Sequence, residues 1–248
     1  MKKIYVIIIV VILFISIVAL KILNTHNSYY LIFDNVAALE YKNGKFVEVG
    51  YEDLLDRTYS CFSLGEFIGY YNIYSRDENN EYYMTNKANE EAYTFEHPYL
   101  FVSSNVEVLE YKVEDGQEDD LSYLTYDLDM DFIESIDDLD TFKKVIFDID
   151  GDMVDEYIYS ASYFGIDDNN SFSIVFLVKD NKVYVMGQSS LFESYDEEDS
   201  FESIDNFELK YLIKIDDSIK MVVGMGSTDL TYYQIFSFDN DLIEEYGG

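Results

Sequence analysis

The densest set of groups that could do chemistry is FDIDGDMVDEYIY, residues 147–159. Asp148, Asp150 and Asp152 alternate around the single Gly151, and Asp155 and Glu156 follow. Hard carboxylate oxygens at alternate positions on a tight turn suit a hard divalent cation such as Ca2+. The same acid cluster can instead serve a metal-dependent hydrolase. The third reading is a charged turn that holds no ligand. An EF-hand is excluded, because its sixth position would be Met153 instead of Gly and its twelfth Tyr159 instead of Glu.

Elsewhere the chemistry is sparse. His26 and His97 stand far apart in the sequence, and no second His or Cys near either completes a zinc set. The serines lack a G-x-S-x-G elbow. Gly224 and Gly226 in VVGMGS have no following Lys, so they do not form a phosphate loop and instead mark a strand with close backbone approach. Cys61 is the sole cysteine, which excludes an internal disulfide.

Two family resemblances converge on the acidic stretch. KKVIFDIDGDMVD resembles the first motif of haloacid dehalogenase-type phosphatases, which implies Asp148 as nucleophile and Asp150 as general acid. It departs from that motif at Asp152, where a hydroxyl residue should hold the phosphate, and EYIYS follows where the family has a helix. The same stretch also resembles the D-x-D-G-D-G-x-x-D/E loop of FG-GAP repeats, found in integrin-α-like and bacterial β-propellers. That resemblance implies one structural Ca2+ held by the side chains of Asp148, Asp150, Asp152 and Glu156 and by the Val154 carbonyl. It departs at Met153, where the family has Gly; a left-handed Met costs about 1 kcal/mol or more.

Strands are needed to position the loop, and the sequence supplies them. NVAALEYKNGKFVEV (35–49), NVEVLEYKVEDGQEDDL (105–121), FSIVFLVKDNKVYVM (172–186) and YYQIFSFDNDLIEEY (232–246) each read as an apolar run, a polar turn and a shorter alternating run, the pattern of a β-hairpin. Aligned on Lys42, Lys112, Lys179 and Asp239, they recur every 60–70 residues. Three are preceded by a strand–acidic loop–strand element at 72–85, 147–160 and 213–226. The expectation is an all-β, propeller-like domain of about four units, each a four-stranded antiparallel sheet. The loops at 76–81 and 216–220 have lost the alternate carboxylates, so one intact cation site is expected. Segments 50–62, 135–142 and 200–209 read as short helical connectors, and the acid runs 114–120, 127–140 and 193–199 as solvated loops.

MKKIYVIIIVVILFISIVALKIL (1–23) has two lysines before a long apolar run, which predicts an uncleaved membrane-spanning anchor. The positive-inside rule then puts the N-terminus in the cytoplasm and residues 24–248 outside the cell membrane as one extracytoplasmic domain. Acids outnumber bases 50 to 16, a formal charge of −34. Such a chain has no basic stripe for nucleic acid, and its field favours cationic proteins or peptides. With 25 Tyr and 18 Phe it has ample apolar surface for a packed core. The functional expectation is a membrane-tethered, non-catalytic binding or scaffold module with a structural Ca2+ loop; the alternative is an extracytoplasmic phosphatase-like hydrolase that uses Asp148 and Asp150.

Overall fold

The computed structural model describes residues 28–33, 37–55, 57–63, 65–76, 82–86, 99–130, 132–164, 171–191, 206–226 and 231–247. The described chain is built of antiparallel strands, with three 3-10 turns and one π turn between them. The first sheet uses β1 (Tyr29–Phe33), β2 (Ala37–Lys42), β3 (Lys45–Glu48), β4 (Thr58–Ser63), β5 (Glu66–Arg76), β6 (Tyr82–Asn86) and β7 (Tyr99–Ser103), in the order β3-β2-β1-β7-β4-β5-β6. β8 (Glu107–Leu109) and β9 (Val113–Asp115) then leave for two different sheets. β10 (Thr141–Phe147), β11 (Glu156–Phe164), β12 (Ser171–Lys179) and β13 (Lys182–Leu191) form a four-strand meander that β9 extends beside β10. β14 (Asn206–Ile215), β15 (Ser218–Gly226), β16 (Thr231–Phe238) and β17 (Leu242–Gly247) form a second such meander, extended by β8 beside β14.

Packing makes the second meander the middle layer of a stack. On one side, Tyr211, Ile213, Ile215, Val222 and Ile235 pack against Leu31, Phe33, Leu39, Leu100 and Val102 of the first sheet. On the other, Leu209, Leu212, Met221, Val223 and Phe236 pack against Val145, Ile158, Val175 and Leu177 of the β10–β13 sheet. Strict alternation would place Leu209 and Tyr211 on the same face. The register shift at Lys210 inserts one residue and sends them to opposite cores. Strands buried on both faces read as continuous apolar runs, and SFSIVFLV and MVVGMG do so. Each fully buried Leu, Ile or Phe contributes about 1.5–3 kcal/mol of apolar transfer. The outer face of the β10–β13 sheet is covered by residues 117–140, whose Leu121, Leu124, Met130 and Ile133 pack on Phe142, Tyr159, Phe172 and Phe176.

Several sequence expectations need correction. The all-β class holds, but the propeller does not: three sheets stack face to face, none closes, and β7 inserts between β1 and β4 instead of following a meander. Segment 105–121 is no hairpin, since β8 and β9 belong to different sheets. The anchor expected at 1–23 lies outside the described residues. Among the described residues no helix is long and apolar enough to cross a membrane, so the single-pass anchor and the cell-membrane localisation drawn from it are not supported. The connector 50–62 keeps only a 3-10 turn at Tyr51–Asp53 before β4 begins, and 206–209 is the start of β14. At 135–142 the Ser135 cap is real: its hydroxyl accepts from the Asp137 N–H. The acid runs 114–120 and 127–140 are not wholly solvated, because Met130, Ile133 and Asp120 are held inward.

Candidate cation loop

The stretch 148–155 joins β10 to β11, which pair in register from Thr141 with Ser162 to Phe147 with Glu156. The aspartates fold the loop by accepting its own backbone donors. Asp148 accepts from Gly151 N at 2.7 Å and Met153 N at 3.0 Å, and Asp152 accepts from Val154 N at 2.7 Å. Gly151 and Met153 both take left-handed backbone, with φ of 78° and 69°. The first suits a glycine; at the second a non-glycine residue carries the strain, and its side chain is fully solvated.

Of the five residues expected to hold Ca2+, the structure brings together three. Carboxylate oxygens of Asp148, Asp150 and Glu156 lie within 4.8 Å of one another, the one such set among the described residues. Asp152 and Val154 stay on the exposed rim. The surprise is Lys179, the last residue of β12. Its Nζ lies 2.6 Å from Glu156 Oε1, 2.7 Å from Asp150 Oδ2 and 3.9 Å from Asp152 Oδ2. Side-chain exposure is 8% for Lys179 and 2% for Glu156. Glu156 Oε2 accepts from Ile149 N at 2.7 Å, so both of its oxygens are satisfied. The ammonium also lies 5.5 Å from the Phe238 ring centroid.

The electrostatics follow from that geometry. Burial alone would favour neutral lysine, but the hydrogen bonds to Asp150 and Glu156 outweigh it and raise Lys179 above the ordinary lysine range. In return the Lys179 ammonium holds the Asp150 carboxyl below the usual carboxylate range. A general acid needs the opposite shift, so Asp150 is poorly suited to the hydrolase role. The donor chemistry of the loop fits Ca2+, but its cation position is contested. An ion sharing Asp150 and Glu156 with Lys179 would sit about 4 Å from the ammonium, a repulsion on the order of 8 kcal/mol at an effective dielectric of about 20. With Lys179 in place, the residues do not fit a divalent ion.

The other expected loops differ. At 216–217, β14 and β15 are joined by a two-residue turn with Asp216 left-handed, and 77–81 lies outside the described residues. His26 and His97 also lie outside them. Cys61 is buried, and burial pushes its thiol up to about 12, which keeps it protonated. Sequence reasoning registered Lys179 only as a turn marker. Its usable signal was a lone base ending the eight-residue uncharged run SFSIVFLV, where burial demands a carboxylate partner. No family model, curated protein or solved structure matches this chain.

Proposed function

We propose that this chain is a non-catalytic binding module: a stack of three sheets that presents an acidic surface to a cationic protein or peptide. The observation that carries this is where the few bases go. Lys144, Lys179 and Lys220 are turned inward onto Asp120, Glu156 and Glu245 at 2.6–2.9 Å. These pairs are neutral, so the exterior keeps the chain's full excess of acids over bases and has fewer bases left to interrupt it. The loop at 148–156 serves as a brace, its repelling carboxylates neutralised by Lys179. The test is binding of a fluorescent lysine-rich peptide, with a glutamate-rich peptide as control, at low and high salt. Salt-sensitive binding of the basic peptide alone supports the module; equal behaviour of both peptides removes it.

A second reading keeps the structural Ca2+ and is favoured by one observation. Asp148, which Lys179 does not touch, still offers an oxygen beside Asp150 and Glu156. In that reading Ca2+ displaces the ammonium and takes Asp148, Asp150, Asp152 and Glu156 together with the Val154 carbonyl. Melting in Ca2+ against chelator separates the two readings.

A further inference from the structure

We infer that the outer edge of β13 is a docking edge, at which an extended basic segment of a partner adds a strand to the β10–β13 sheet. The inference rests on the binding-module reading and names where its cationic partner sits. Each of the three sheets ends in two edge strands, and an unprotected edge is a template for another chain. Among the described residues, five of the six edges are blunted. β8 and β9 have three residues each, β3 four and β6 five, and β17 carries Glu244 and Glu245. β13 runs for ten residues and has no charge from 183 to 191. Among the described residues, no strand pairs with its outer side.

The surroundings favour a strand over a bare edge. Val183 packs on the cluster under residues 117–140, and Val185 is 38% exposed. Tyr184 and Met186 face the middle sheet, where Tyr184 packs edge-on to Phe238 at 5.3 Å. A strand added beside β13 therefore lies over β16 and β17, near the partly buried Phe238 and Leu242. Beneath Gly187, on the face turned to the middle sheet, Gln234 Oε1 is buried without a hydrogen-bond partner, 3.4 Å from where a Cβ on Gly187 would stand. The Gln234 amide donates to the exposed Glu244 at 3.4 Å, which places a carboxylate beside that acceptor. The site thus asks for backbone donors along the edge and positive charge at its Gln234–Glu244 end. The chain's own segment 192–205 has seven acids and no base, and a second copy brings another −34, so charge favours a basic partner over either.

The experiment uses the full chain and a labelled probe, the heptapeptide VKVKVKV capped at both ends. A fully N-methylated version keeps the charge and loses every backbone donor. Val185→Lys and Gln188→Lys alter the β13 edge, and Val47→Lys adds the same charge on the edge strand β3. The expected result is that VKVKVKV binds, the methylated peptide does not, each β13 variant weakens binding about tenfold, and Val47→Lys leaves it near wild type. If all three variants bind alike, the surface field alone holds the peptide; the binding-module reading then stands and the edge assignment falls. If no basic peptide binds, both fall. If sedimentation shows a concentration-dependent dimer that Val185→Lys abolishes, the occupant is a second copy and the basic-segment assignment is overturned.

Discussion

The β10–β13 and β14–β17 sheets are two versions of one four-strand meander, and each buries a lysine. In the first, β10 and β11 are joined by the eight residues 148–155, and Lys179 gathers Asp150, Asp152 and Glu156 from that loop and its exit. In the second, two residues join β14 to β15, and Lys220 has a single carboxylate, Glu245, at 2.6 Å. Glu245 reaches it because the β16–β17 register shifts beside Phe236 and turns the extra residue inward. Ser237 donates to the same Glu245 oxygen at 2.6 Å, and the other oxygen is buried with no partner. Lys179 therefore closes a loop whose charges would otherwise repel, whereas Lys220 pins an edge strand through one incompletely satisfied carboxylate. The lesson is that a long acidic connection needs an internal cation and a tight turn does not.

The sharpest way to break this comparison is Lys179→Met. It leaves Glu156 buried and uncompensated, and loss of one partner from a buried pair costs about 3–5 kcal/mol. Urea denaturation should show that loss. Lys220→Met should cost less, about 1.5–3 kcal/mol, because Glu245 lies on an edge strand with 11% of its side chain exposed and keeps Ser237 as donor. Equal costs would mean that the number of loop carboxylates does not matter.

Acid gives the next effect. Asp150 is held below its unfolded value of about 3.9, so its contribution is full above that pH and is lost as pH falls through the folded value. Urea midpoints of the wild type should decline below about pH 4, with part of the slope removed in Lys179→Met. Asp120 is an internal control: burial would raise it, but Lys144 and its other hydrogen bonds prevail and lower it, and that share of the slope should persist in the variant.

How much of this was legible depends on how local the signal was. The hairpins at 172–186 and 232–246, the strand that follows the acidic loop, and the turn at Gly151 all follow from period-two patterning and turn chemistry within about ten residues. The split of 105–121 was not legible, because EVL and VED are as good as any hairpin arms and nothing in them says which sheet each joins. The stacking of the sheets was hidden for the same reason, as propeller blades and stacked layers share one strand pattern. In the loop, the carboxylates were plain. Their partner was not, since Lys179 is 23 residues from Glu156 and meets it only through the β11–β12 pairing.

A smaller test compares the two turns directly. Met153→Gly relieves left-handed strain of about 1–2 kcal/mol against an entropy cost of about 0.5–1, for a net stabilisation of about 0.5 kcal/mol. Asp216→Gly should go the other way, because Asp tolerates that backbone and its carboxylate accepts from the Tyr29 hydroxyl. Thermal melts of both variants check the opposite signs.

The central claim is that Lys179 is the cation of the 148–156 loop, and melting with Ca2+ against chelator at matched ionic strength tests it most directly. Matching matters because any salt screens a −34 surface. The wild type should show no saturable Ca2+ shift, while Lys179→Met, with its carboxylates freed, should recover about 1 kcal/mol or more when Ca2+ exceeds its Kd severalfold. A saturable Ca2+ stabilisation of the wild type that disappears in Asp150→Asn would contradict the claim and assign the loop to the metal.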